Sequence, residues 1–139
     1  MIEITRMEDK YLDGLKKLMM MEGLDFQAVS LCLESLYVVA DKLVVLGFGY
    51  VNVYDDEVYI DHLYIKRNER LNKLGDSLFR AILNSLAIRG IQLIYMRNDD
   101  LYKGFLQAEN IVFESNRFVI DVGEFFNRKC RGSKVAKIQ

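Results

Sequence analysis

The sequence contains no proline and no tryptophan, only two cysteines and a single histidine. Without proline there is no proline-rich linker or recognition segment, and the elements must join through other turns. Cys32 and Cys130 stand far apart, neither in a Cys-x-x-Cys pair, and His62 has no second histidine to join it. That inventory builds no zinc centre and no dithiol redox site. No apolar run approaches the length of a membrane-spanning helix. The first residues, MIEITRMEDK, are charged at once and carry no apolar leader core. The expectation is a cytoplasmic protein with reduced thiols, no metal and no membrane partner.

What is present fits one domain over 1–139. Apolar residues make up 51% and charged residues 28%, enough for a core without staples. The net charge of −1 is unevenly spread. Arg128, Lys129, Arg131, Lys134 and Lys137 form a basic tail over 128–139 with no acid, leaving an acidic body. A body of that sign offers no broad basic face, so nucleic acid is not an expected partner. The tail reads as a solvated terminus.

Ile2–Thr5 alternates as a short strand. Leu12, Leu15, Leu18, Met19 and Met20 fall at helical spacing within 9–22, and Gly23 ends that helix. Residues 24–35 read as a second helix. Leu36–Ala40, Leu43–Tyr54 and Glu57–Lys66 then read as three strands joined by turns at Asp41-Lys42 and Asp55-Asp56, an antiparallel meander. Gly47 and Gly49 inside the second of these mark a bulge or a close backbone approach. Helical spacing returns over 71–89 and closes at Gly90. IQLIYMRN, 91–98, is a buried-strand run, 99–109 a short helix, and 111–122 two strands around Ser115-Asn116. Strand, helix and strand over 57–97 make one βαβ unit with parallel strands. The fold class is mixed α/β: a central mixed sheet of a meander plus one βαβ unit, with helices on both faces.

The segment IKRNERLNKLGDSLF, 65–79, passes from strand to helix at that crossing. A helix N-terminus offers unpaired amides and the positive end of the helix dipole, which suits a phosphate. Within YIDHLYIKRNERLNKLGDSLFRAIL, 59–83, Leu63-Tyr64-Ile65 ends the strand, four residues cross over, and Arg70, Lys73 and Gly75 open the helix. This order of elements, over nearly the whole chain, and this motif resemble the GCN5-related N-acetyltransferase (GNAT) family. The chain departs from the family pattern at Lys73, where glycine is usual, and at Asp76, where a small residue is common.

The resemblance implies acetyl-CoA as co-substrate, lying between the strands at 57–66 and 91–98. The backbone of Leu63, Tyr64 and Ile65 would pair with the pantetheine arm. Arg70 and the amides of Leu71, Asn72, Lys73, Leu74, Gly75 and Asp76 would hold the pyrophosphate. Asn98 matches an asparagine near the thiol, and equally suits a helix cap. Transfer to an amine needs a base for the amine proton, an acid for the leaving thiolate, and amides that polarise the thioester. Asp61 and His62 are the candidate bases, expected on opposite faces of their strand, with Glu57 a weaker third. The family's tyrosine acid falls here on Phe105 or Leu106, so Tyr102, one turn earlier, is the substitute. The implied activity is an acetyl-CoA-dependent N-acetyltransferase acting on a small-molecule or peptide amine. The alternative is a non-catalytic acyl-CoA-binding regulatory module of the same fold. The resemblance also allows a homodimer through the terminal strands, which would cover exposed edges.

Overall fold

β-Branched and aromatic residues at alternating positions set the strands. A computed structural model describes residues 1–30 and 33–127, and of these the side chains of Arg70, Leu71, Asn72 and Leu101 are not described. Both cysteines and the basic tail over 128–139 lie outside the described residues. β1 (Ile2–Arg6), β2 (Leu36–Asp41), β3 (Val44–Tyr54) and β4 (Glu57–Ile65) are successive antiparallel neighbours. β5 (Leu93–Arg97) joins β4 in parallel, and the hairpin of β6 (Val112–Glu114) and β7 (Arg117–Asp121) adds β7 against β5. The sheet order is β1-β2-β3-β4-β5-β7-β6. The expected meander, βαβ unit and mixed sheet are all present.

Asp55 and Asp56 both adopt left-handed backbone, φ 50° and 65°, the conformation a two-residue hairpin needs and a short polar side chain tolerates. The preceding turn is Lys42-Leu43, one residue later than expected. Asp41 stays in β2, where its carboxylate takes the amino group of Met1 at 3.0 Å.

The sheet is covered on both faces. α1 (Leu12–Met21) and α2 (Phe26–Ser30) cover one, burying Leu15, Leu18, Met19 and Val29 against Val38, Phe48 and Tyr64. The second helix is shorter than the 24–35 expected. Asp25 accepts a bond from the Gln27 amide at its start, and a 3₁₀ turn occupies Leu33–Ser35. α3 (Leu74–Ile88) lies on the other face and buries Leu78, Phe79, Ile82, Leu83 and Leu86 against β2, β4, β5 and β7, with α4 (Asp100–Ala108) beside it. α3 starts at Leu74, three residues after the expected start at 71. The crossing forms a 3₁₀ turn over Arg67–Asn72, and Lys73 is left-handed at φ 59°, which no α-helix can contain. At its far end Gly90, φ 86°, closes the helix: the Gly90 amide bonds Ala87 and the Ile91 amide bonds Leu86, a double closure of the last carbonyls.

Candidate functional site

β4 and β5 run side by side at only Val58–Ile94 and Tyr59–Tyr95. Beyond Tyr59, β4 continues six residues, about 20 Å of strand, with no register partner in β5. The backbone groups of Leu63 face this gap, and Tyr102 of α4 reaches them from across it. The Leu63 N–H donates to the Tyr102 hydroxyl at 3.0 Å, and the hydroxyl donates to the Leu63 carbonyl at 3.0 Å. The Leu63 and Ile65 side chains are buried under α3, while Tyr64 points to the other face, against Phe48 and Glu22. At the end of β4 a ligand therefore meets backbone, not side chains.

That gap leads to the N-terminus of α3. Lys73 is the N-cap and makes no side-chain cap bond, so it does not itself cap the amides of Leu74, Gly75 and Asp76. Of the residues expected to form an amide cradle over 71–76, Leu71 and Asn72 belong to the 3₁₀ turn and Leu74, Gly75 and Asp76 to the first turn of α3. Left-handed backbone explains why glycine suits position 73. Lysine there costs about 1 kcal/mol. Among the described residues, a Cβ on Gly75 would meet only Ile65, at 3.8 Å. The Asp76 carboxylate pairs with Arg80 at 2.9 Å, which offsets the negative charge that troubles this position for a phosphate. Glu22 fixes the crossing from below, accepting bonds from the Tyr64 hydroxyl at 2.8 Å and the Arg67 amide at 3.1 Å.

Asp61 and His62 do not face opposite ways. Tyr50 pairs with His62 and Val51 with Ile60, so Asp61 is an extra residue in β4, a bulge that changes the alternation. Their partners locate both side chains on the α1–α2 face. Asp61 Oδ2 accepts from Asn52 at 2.8 Å and from the Tyr54 hydroxyl at 2.6 Å. His62 stacks between Phe48 and Tyr50. Phe48, Tyr50, Asn52 and Tyr54 alternate along one face of β3. The other carboxylate oxygen of Asp61 is buried with no hydrogen-bond partner among the described residues, and the Arg97 Nε lies 3.7 Å from it. Bonding to Asp61 pushes the Tyr54 phenol up, so it remains a donor. Burial pushes the His62 imidazole below its ordinary value, against the opposing pull of Asp99 and Asp61. Burial thus favours the neutral imidazole. It lines a cavity of about 200 Å³ with Met19, Leu24, Asp25, Val29 and Tyr50.

Two arginines flank this face, opposite each other on β5 and β7. Arg117 is fixed: it grips Glu57 through two bonds at 2.8 and 3.0 Å, donates to the Tyr59 hydroxyl at 2.7 Å and lies 3.8 Å above the Tyr95 ring. Its hydrogen bonds hold the Glu57 carboxyl below the usual range, so Glu57 is committed to Arg117. Arg97 is 60% exposed and rests over the Tyr54 and Tyr59 rings.

The remaining expected residues divide. The Asn98 side chain donates to Asn116 in the β6–β7 turn at 3.0 Å. Leu106 is buried and Phe105 packs edge-on against Phe79, so neither position presents a polar group to the gap. The side chains of Arg70, Leu71 and Asn72 are outside the described residues. Arg97, Tyr54, Asn52 and Glu22 were not anticipated. Period-2 alternation opposite Asp61 would have found the β3 pair, whereas nothing local marks Glu22. No group of three or more metal-ligating side chains occurs among the described residues, and no described helix is long and apolar enough to cross a membrane.

No protein-family model matches the chain, and no curated protein matches its sequence. Solved structures do. Ard1 from Thermoplasma volcanium superposes with a TM-score of 0.66 at 19% identity, over 85% of this chain and 94% of that one. A GNAT-family acetyltransferase from Staphylococcus aureus Mu50 gives 0.62 at 11%, over 88% and 99%. The PaiA N-acetyltransferase from Thermoplasma acidophilum, solved with coenzyme A, gives 0.61 at 12%, over 86% and 96%. The fold is that of the GCN5-related N-acetyltransferases.

Proposed function

We propose that this protein, as a single domain over 1–139, is an acetyl-CoA-dependent N-acetyltransferase acting on a primary amine. The observation that carries the reading is the parting of β4 from β5 beyond Tyr59, which leaves Leu63 backbone facing a gap that ends at the first turn of α3, where the Lys73 side chain makes no cap bond. An extended chain bearing amides adds to such an edge as a further strand would. A pyrophosphate suits the turn of Leu74, Gly75 and Asp76, with Lys73 supplying a cation. The coenzyme A complex of the Thermoplasma acidophilum neighbour supports this choice of ligand.

In this reading the amine nitrogen attacks the thioester carbonyl, forming the C–N bond. The C–S bond breaks and its electron pair goes to sulfur. Asp61 or neutral His62 takes the amine proton, directly or through water, and Tyr102 gives a proton to the sulfur. Asp61 also keeps one carboxylate oxygen with no hydrogen-bond partner among the described residues, 3.7 Å from the Arg97 Nε, where an incoming amine can be received. A cationic acceptor, whether a small amine or a peptide, suits that carboxylate and the acidic body of the chain. A base of this kind contributes about 10²–10⁴-fold to rate.

One observation favours the second reading, a non-catalytic acyl-CoA-binding module. The two positions where the resemblance puts a tyrosine hold Phe105 and Leu106, both packed inward. Calorimetry with acetyl-CoA and CoA, followed by thiol release across a panel of amines, separates the two. Binding with turnover is the expected result. Binding without thiol release supports the module, and no binding at about 1 mM ligand, weaker than about −4 kcal/mol, overturns both.

A further inference from the structure

We infer that the Tyr102 hydroxyl stands in for a ligand amide, so that the gap between β4 and β5 is held by the protein's own side chain and acyl-CoA enters by displacing it. The inference rests on reading this gap as the acyl-donor site. An amide laid along a strand edge brings one donor and one acceptor. A phenol hydroxyl brings the same pair on one oxygen. Tyr102 uses both on Leu63, accepting from its N–H and donating to its carbonyl, each at 3.0 Å. Leu63 is beyond the last residue of β4 that pairs with β5, so its backbone groups would otherwise face the gap without a strand partner, at a cost that buried backbone rarely bears.

The side chain comes from a distant part of the chain. Tyr102 lies 39 residues from Leu63, on a nine-residue helix whose Phe105 and Leu106 anchor it in the core below α3. That anchoring keeps the ring at the gap whether or not the hydroxyl holds Leu63. Tyr102 and a ligand amide cannot both take the N–H and carbonyl of Leu63. Once displaced, the hydroxyl stays beside the chain that displaced it, with its proton available to a nearby sulfur. One residue thus closes the strand edge and, after displacement, positions the proton donor. This accounts for a tyrosine at 102 where the resemblance would put it one turn later.

The test is Tyr102→Phe, which keeps the ring and removes the oxygen. Two ligands are titrated by calorimetry: acetyl-CoA, which carries the amides, and adenosine 3′,5′-bisphosphate, which lacks them. Acetyl-CoA should bind the variant roughly five-fold more tightly, the equivalent of about 1 kcal/mol. The bisphosphate should bind both forms alike. Thiol release should fall about ten-fold or more, so affinity and turnover move in opposite directions, which a merely structural role would not produce. Unchanged or weaker acetyl-CoA binding overturns the inference. So does a parallel change for both ligands, which would mean a general distortion. If neither ligand binds either form, the reading of the gap falls and this inference falls with it. Binding of both ligands to both forms, with no difference for acetyl-CoA, overturns this inference alone.

Discussion

The two edges of β4 contrast sharply in how they are paired. Toward β3 the strand is matched from Glu57 opposite Tyr54 to Ile65 opposite Gly47, interrupted by one bulge at Asp61. Toward β5 it is matched only at Val58 and Tyr59. On the closed edge, glycines let the backbones approach: a Cβ on Gly47 would lie 2.6 Å from the Tyr64 carbonyl oxygen, and one on Gly49 3.0 Å from that of His62. On the open edge the Tyr102 hydroxyl bonds Leu63 where another strand would pair. The closed edge positions Asp61 and His62 through side-chain partners on β3. The open edge offers backbone alone. In the proposed function one strand thus provides a rigid wall for a base and an adaptable wall for an extended ligand.

Breaking the closed edge should have the largest effect. Gly47→Val drives a side chain into the Tyr64 carbonyl and Ile65, and should lower stability by about 3 kcal/mol, read from the denaturant midpoint. Next is the proposed base held by that edge. Asp61→Asn should reduce thiol release about 100-fold while acetyl-CoA affinity stays the same; equal losses in both would place Asp61 in donor binding instead. Gly75→Val adds a side chain where, among the described residues, only Ile65 is near, at 3.8 Å. It should weaken acetyl-CoA about ten-fold and change stability by less than about 1 kcal/mol, which sharpens the contrast between an edge that must be filled and a turn that must stay open.

The smallest effect concerns His62. Burial holds its folded-state pKa below the ordinary 6.5, so the unfolded chain binds more protons just below that pH. Stability should therefore be level above pH 6.5 and fall as the pH drops through the folded-state pKa. His62→Phe should remove that slope in a pH series of thermal unfolding. A slope that persists in the variant would assign it to other groups.

Much of the architecture was legible because it is written in periodicity. The apolar spacing of Leu78, Phe79, Ile82, Leu83 and Leu86 gave α3, and alternation gave the meander. Boundaries were less legible where backbone conformation overrode pattern. Leu71 continues the helical spacing, yet Lys73 turns left-handed and the helix begins after it. The geometry of the candidate site was legible at its ends and not in its middle. The motif around Gly75 and the acid–histidine pair in β4 stand out in the sequence. The bulge that puts Asp61 and His62 on one face is a product of pairing with β3, and strand alternation alone predicts the opposite. Tyr102 and Leu63, like Glu22 and Tyr64, meet only through tertiary packing, and no local pattern marks them.

The central claim is that the β5-facing edge of β4 and the first turn of α3 together take acetyl-CoA. Backbone amide resonances followed through an acetyl-CoA titration test it most directly. The account predicts that the amides of Leu63, Leu74, Gly75 and Asp76 shift on binding while those of Phe48 and Tyr50, on the β3 side, stay in place. Binding that leaves the Leu63 and Gly75 amides unmoved would contradict it.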